Sequence, residues 1–230
     1  MRLIWAGGIY VSQEGLRNSR GRPLKENEVA KADLIESATK FFSTKGFKDT
    51  SLREIASDAK VNMALIKYHF GSKAALWDEV ISSLSWTVLQ TNDFELDHVE
   101  DAFEMKRLLE NLFDRLVDMS FEHREFSLFI MNETVQQGER FDHLFNELIQ
   151  PFHDQTYPFI AKGIEMGVLA DQHPEELIVM LMSSVAYQQA APHVLAKFTA
   201  VIQDEKQWRE TVKRSLKVNF IKNPCDQEPK

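Results

Sequence analysis

The chain has little of several things that mark large classes of protein. One cysteine, Cys225, stands in 230 residues. That excludes an internal disulfide and any multi-cysteine zinc site, and it fits a reducing compartment. Cys225 sits beside Pro224 in a polar tail and reads as an incidental thiol. No run approaches the roughly 18 apolar residues needed to span a bilayer. Strand signals are nearly absent, with no hairpin dipeptide recognised between alternating apolar runs. Internal repeats and low-complexity segments are missing as well.

Catalytic patterns are just as scarce. Seven histidines are scattered along the chain. One Glu-x-x-His pair, Glu95 to His98, falls in an expected loop, whereas helical di-iron sites use two such pairs and two further glutamates. His143 and His153 are ten apart on one expected helix, which turns them roughly 80° from a shared face. No nucleophile elbow or phosphate loop is present. The chain therefore does not read as an enzyme, and it implies no cofactor and no metal.

Net charge misleads until the chain is divided. The whole carries −8, which alone argues against nucleic acid. Residues 17 to 73 hold 12 Lys/Arg against 7 Asp/Glu, and residues 74 to 230 hold 14 against 27. A basic N-terminal quarter on an acidic remainder fits a small DNA reader carried by a domain that avoids phosphate.

What the sequence does have is helical periodicity and enough apolar residues, 43%, to bury a core. Residues 1 to 27 read as a mildly apolar leader, disordered or translated from a start codon set too far upstream, followed by a flexible basic arm. A first helix is expected from Glu28 to Thr44, ended by Lys45-Gly46. Thr50 or Ser51 caps a second, with Glu54 placed to complete a capping box. A third runs from Asn62 to His69, and a fourth from Lys73 to about Thr91. An acidic loop covers 92 to 104. Further helices are expected at 105–123, 125–137, 139–166 with kinks at Pro151 and Pro158, 174–198 and 204–221.

Residues 50 to 73 make two short helices joined by a tight turn, the layout of a helix-turn-helix. They resemble the DNA-binding signature of the TetR/AcrR family of bacterial transcriptional regulators. The resemblance rests on Thr50-Ser51-Leu52-Arg53-Glu54-Ile55-Ala56, on Ala59 and Val61, and on Tyr68-His69-Phe70-Gly71-Ser72-Lys73. It is strong over residues 29 to 80 and architectural beyond. Two positions depart from the pattern. Lys60 stands where the family usually has a turn glycine, which asks a residue with a Cβ to adopt a glycine conformation. Lys67 stands where tyrosine is more usual.

The resemblance implies an all-α fold of about nine helices: an N-terminal three-helix DNA-binding domain at 28–73, then a ligand-binding and dimerisation domain at 74–222, with a tail at 223–230. It places the third helix in the major groove, where the outward Met63, Ala64, Lys67 and Tyr68 face base edges. Lys67 can donate to guanine, while Met63 and Ala64 can pack on a thymine methyl. Leu52, Ile55, Val61, Ile66 and Phe70 serve as core. Asn62 either caps its helix or reads adenine, and the cap is preferred. Ser51, Arg53, His69 and Lys73 form the phosphate set, with a structural hydrogen bond as the alternative for His69. Arg20 and Arg22 flank a glycine as minor-groove arms do, or are simply solvated.

One such headpiece makes too few contacts for specific affinity, so a homodimer on a pseudo-palindromic operator is expected. The family pairs through its last two helices, here 174–198 and 204–221. Sixteen phenylalanines and eight methionines gather mostly in residues 94–198, where the family holds a small effector. Phe113, Phe129, Phe152, Met180 and Gln188 are the pocket candidates, though for any single one ordinary helix packing is the favoured reading. The expected protein is cytoplasmic, a repressor released by a mostly apolar molecule. Its rivals are an activator, a partner-controlled regulator without a small ligand, and a helical enzyme or carrier with a vestigial motif.

Overall fold

A computed structural model describes residues 3–6, 9–12, 23–89, 95–96 and 98–222. It divides into two compact units, Met1–Ser85 and Trp86–Lys230, called here the head and the body.

Two features of the N-terminal quarter differ from expectation. Strands β1 (Leu3–Ala6) and β2 (Ile9–Ser12) pair antiparallel, with Leu3 opposite Ser12 and Ala6 opposite Ile9. The signal was in the sequence. Gly7-Gly8 is a hairpin dipeptide between two runs of β-branched and aromatic residues. Helix α1 (Pro23–Asp49) also starts earlier than residue 28, since the fixed φ of proline suits a first helical turn. Arg20 and Arg22 lie outside the described residues, as does Cys225.

Helix α1 is broken where Lys45-Gly46 predicts, with Gly46 at φ 76° and ψ 172°. The buried hydroxyl of Thr50 ties the break down by donating to the carbonyls of Phe41 (3.1 Å) and Gly46 (2.8 Å). Helices α2 (Leu52–Asp58), α3 (Met63–His69) and α4 (Lys73–Leu89) follow. Leu34, Ala38 and Phe42 of α1 are buried, as are Ile55 of α2, Ile66 of α3, and Leu76, Trp77 and Val80 of α4. Leu52, Val61 and Phe70 are half-buried at the edge of that core. Because the first turns of α4 belong to this core, the boundary between units falls at 85/86 and not at 73/74.

The described elements of the body are helices, apart from one isolated antiparallel bridge between Leu169 and Ile221. Helix α5 (Ala102–Glu122) leads to α6 (Arg124–Thr134) and α7 (Glu139–Leu144). A π-helical turn, Phe145–Ile149, then joins α7 to α8 (Gln150–Glu165). The distortion lies just ahead of Pro151, whose ring cannot sit beneath the carbonyl four residues earlier. Helix α9 (Pro174–Ala190) stops short of the expected residue 198. Pro192 breaks it, pushes Ala191 out of helical geometry, and opens the short α10 (Pro192–Leu195). Helix α11 (Glu205–Phe220) completes the body.

A ladder of ion pairs joins α11 to α5. Lys217 reaches Asp114 at 2.7 Å, Lys213 reaches Asp118 at 2.8 Å, and Arg209 reaches Asp118 at 3.4 Å and Glu122 at 3.7 Å. Each helix contributes every fourth residue, so both charge rows stay on one face. Beside the ladder the rings of Phe121 and Trp208 meet edge to face at 4.8 Å. Among the described residues no helix is long and apolar enough to cross a membrane.

Candidate DNA-reading face and effector cavity

In the head, local hydrogen bonds fix each end of the two short helices. Ser51 caps α2 by accepting from the Glu54 amide at 3.2 Å, and its own amide donates to the Glu54 carboxylate at 3.1 Å. This is the expected capping box, resolved in favour of Ser51 over Thr50. Lys45 adds a third partner, with Nζ 2.5 Å from the same carboxylate. The Lys45 contact, reinforced by Ser51, holds the Glu54 carboxyl down at about 2.

The turn between α2 and α3 needs one left-handed residue, and Lys60 supplies it at φ 57°. Its amide donates to the Ser57 carbonyl at 3.2 Å, and the Val61 amide to the Ala56 carbonyl at 3.0 Å. That pair of bonds is a Schellman closure with lysine where glycine is usual. Asn62 then caps α3, its Oδ1 accepting from the Ala64 amide at 2.8 Å. Capping, the preferred of its two readings, is what Asn62 does.

The caps set the rotation of α3. Ile66 faces inward at 1% exposure, which leaves Met63, Ala64, Lys67 and Tyr68 exposed on one face, Tyr68 at 73%. Of the phosphate set, Ser51 and Arg53 are exposed on or beside α2. Lys73 is folded back, its Nζ 3.2 Å from the Lys48 carbonyl and 4.6 Å over the Phe47 ring.

His69 is not placed for the expected phosphate contact through Nε2, which is buried without a hydrogen-bond partner. Its ring packs between Tyr68 at 4.9 Å and Phe70 at 5.9 Å. Burial, with a smaller push from the Lys31 charge, holds its pKa below the usual histidine value. A neutral, packed imidazole is a poor anion ligand.

Within the body lies a cavity of about 520 Å³ walled by α5, α6, the π turn, α8, α9 and Val88. Four of the five pocket candidates do not line it. Phe113 and Phe129 are fully buried packing residues at 0% exposure. Met180 is half exposed, because it is turned about 200° along α9 from the wall residue Ile178. Gln188 lies toward α11, where its Oε1 accepts from Trp208 Nε1 at 3.4 Å. Phe152 does line the cavity.

Residues that were missed include Met119, Ile130, Met131, Ile178, Met182 and Val185. A usable signal was present, since Ile178, Met182 and Val185 repeat at helical spacing with small or polar neighbours. Choosing the correct stripe among several still requires knowing which faces meet. Among the described residues no cluster of His, Cys, Asp or Glu could hold a metal.

Residues 34–80, the core of this helix-turn-helix, match the family model described as "Bacterial regulatory proteins, tetR family". These residues are a TetR-family DNA-binding domain. It is 33% identical over 103 residues to a probable HTH-type transcriptional regulator, YttP, of Bacillus subtilis, a match covering 45% of this chain and 49% of that protein. It is 27% identical over 202 residues to the HTH-type transcriptional repressor NicS of Pseudomonas putida, covering 86% and 91%. Among solved structures, the ketosteroid transcriptional regulator KstR2 of Mycobacterium tuberculosis superposes with a TM-score of 0.62 at 17% identity, over 84% of this chain and 95% of that one. That structural likeness concerns the fold. Carrying that domain, the chain is a DNA-binding transcriptional regulator and not an enzyme.

Proposed function

We propose that this regulator is a cytoplasmic repressor that binds a pseudo-palindromic operator as a homodimer and releases it when a small, mostly apolar molecule enters the body cavity. The observation that carries this reading is the outward face of α3, where Met63, Ala64, Lys67 and Tyr68 stand exposed on a helix fixed by caps at its start and a turn at its end. Lys67 is the guanine reader, Met63 and Ala64 pack on thymine methyls, and Tyr68 completes the contact with base edges. Ser51, Arg53 and the remaining donors of Lys73 set register on the phosphates, with Arg20 and Arg22 as the minor-groove pair. The relative named a repressor supports the direction of control.

Dimerisation has a candidate surface in the body. Met180 and Tyr187 lie exposed along one side of α9, beside the cavity-lining Val179 and Ser183, and Val218 is 75% exposed on α11. Exposed apolar side chains at helical spacing on the two helices that the family pairs fit a four-helix interface. The cavity fits an effector site in size and in its apolar lining.

Selection of bound sequences from a random duplex library tests the reading, with a Lys67→Ala, Tyr68→Ala double variant as control. An enriched inverted repeat that disappears with the double variant supports it. A folded dimer that enriches nothing, or enriches the same sequence with both residues removed, sinks the assignment of α3.

A further inference from the structure

The cavity carries more information than its size. Along α9 its wall runs from Glu175 to Ala186, eleven steps of helix or about 16 Å. The space follows α9 over that length, and its wall is mostly aliphatic, aromatic and thioether. The polar side chains that do face it are largely committed. Ser120 donates to the Val117 carbonyl at 2.7 Å, and Thr134 to the Ile130 carbonyl at 2.8 Å.

The charges on the lining are equally telling. No lysine or arginine contributes to it; the titratable members are His153 and Glu175. His153 is already occupied, with Nδ1 3.1 Å from Asp154 Oδ1, an oxygen that also accepts from Gln150 at 2.7 Å. An anion entering this space would meet the Glu175 carboxylate and no lysine or arginine on the wall. Burial of an unpaired charge in an apolar site is strongly unfavourable.

One helical turn beyond the wall, two buried polar side chains have no partner. Gln189 is 1% exposed and both atoms of its amide are unsatisfied. It follows the wall residues Val185 and Ala186 by four and three positions, so it lies on the same side of α9. Thr156, also 1% exposed with its hydroxyl unsatisfied, stands in the same relation to Phe152 and His153 of α8. Leaving an amide unpaired in a core costs stability that a leucine of similar shape would not, which points to a partner that arrives from outside.

We infer that the cavity takes an uncharged, elongated apolar molecule bearing one hydrogen-bonding group, and that the Gln189 amide reads that group. This rests on the cavity being the effector site. The orphaned amide supplies selectivity that an apolar wall cannot, because a molecule lacking the matching group leaves it unpaired.

The test uses the full chain loaded with Nile red, a neutral apolar dye, and four competitors with ten-carbon chains kept below micelle formation. 1-Decanol should displace the dye at a concentration about tenfold or more below decanoate and decyltrimethylammonium, a difference of roughly 1.4 kcal/mol or more. It should also outcompete 1-chlorodecane, which has the length without the hydroxyl. Gln189→Leu should raise Tm and erase the decanol-over-chlorodecane preference. A Tm rise with that preference intact would show a merely structural orphan and remove Gln189 from recognition. Decanoate equal to or better than decanol, or no displacement by any competitor, overturns the ligand class. Ile178→Trp should fill the space and abolish dye uptake. Unchanged uptake in that variant would defeat the effector-site reading itself, separately from the choice of ligand.

Discussion

The head and the body satisfy their polar groups over different distances. In the head the decisive bonds are local: Ser51 with Glu54, Asn62 with Ala64, and Ser72 with Ala75 are two or three residues apart. In the body the ladder from α11 to α5 joins residues 91, 95 and 103 apart, and Gln189 and Thr156 have no partner at all. Short-range caps fix the outward face of α3, while Lys31 with Glu79 and Ser37 with the Ile55 carbonyl tie the head together over 48 and 18 residues. A domain closed by long-range packing can keep a cavity and two unanswered polar groups beside it.

Four tests, using six variants, would break or sharpen that contrast. The largest effect is expected for Phe113→Ala, which removes a fully buried ring of the body core and should cost about 3–5 kcal/mol in denaturant unfolding. Met182→Ala, on the cavity wall, should cost well under half as much, because its side chain already lacks neighbours on one side. Equal costs would mean that the cavity is filled in the free protein.

Next comes the reader. Lys67→Ala should lower operator affinity by about 1–3 kcal/mol and relax preference at one or two positions. Arg53→Ala should weaken all sequences alike and reduce the salt slope by about one. Matching specificity profiles for the two variants, measured by titration of operator and mutated duplexes, would undo the division into base and phosphate contacts.

Smaller, and opposite in sign, is Lys60→Gly. It relieves a left-handed lysine in the Schellman turn and should stabilise the head by up to about 1 kcal/mol, read as a rise in Tm. A fall in Tm would mean that the lysine side chain contributes more than its backbone geometry costs.

The last concerns acid. The Glu54 carboxyl is held at about 2, down from 4.5. A depressed carboxyl contributes stability that is fully present above its unfolded value and is lost as pH falls through its folded one. The Tm advantage of the wild type over Glu54→Gln should therefore hold above pH 5 and close between about pH 4.5 and 2. An advantage that persists at pH 2 would assign the cap to something other than the charged form.

The same contrast explains what could be read early. The capping box, the Asn62 cap, the break at Gly46 and the outward four residues of α3 all follow from spacing within a few residues. For His69 the motif names the flanking Tyr68 and Phe70 but does not reveal that Nε2 lies buried without a partner. Helix α9 was drawn too long although Pro192 marks its end, and the Gly7-Gly8 hairpin signal was passed over. For the pocket, Phe113 and Phe129 were plausible by composition, yet aromatic side chains fill cores at least as readily as they line cavities.

By itself the sequence determined that this is a helical regulator with a basic helix-turn-helix, which turn would be strained, and which side chains of α3 would face outward. Those outcomes depend on helical period, caps and turn chemistry, all of which act within one or two turns of chain. Only the tertiary structure decided which stripes of α5, α6, α8 and α9 enclose empty space, and which buried amide was left beside it. Several faces of each helix are apolar enough to be buried, and the choice among them is made jointly by every helix that packs against them.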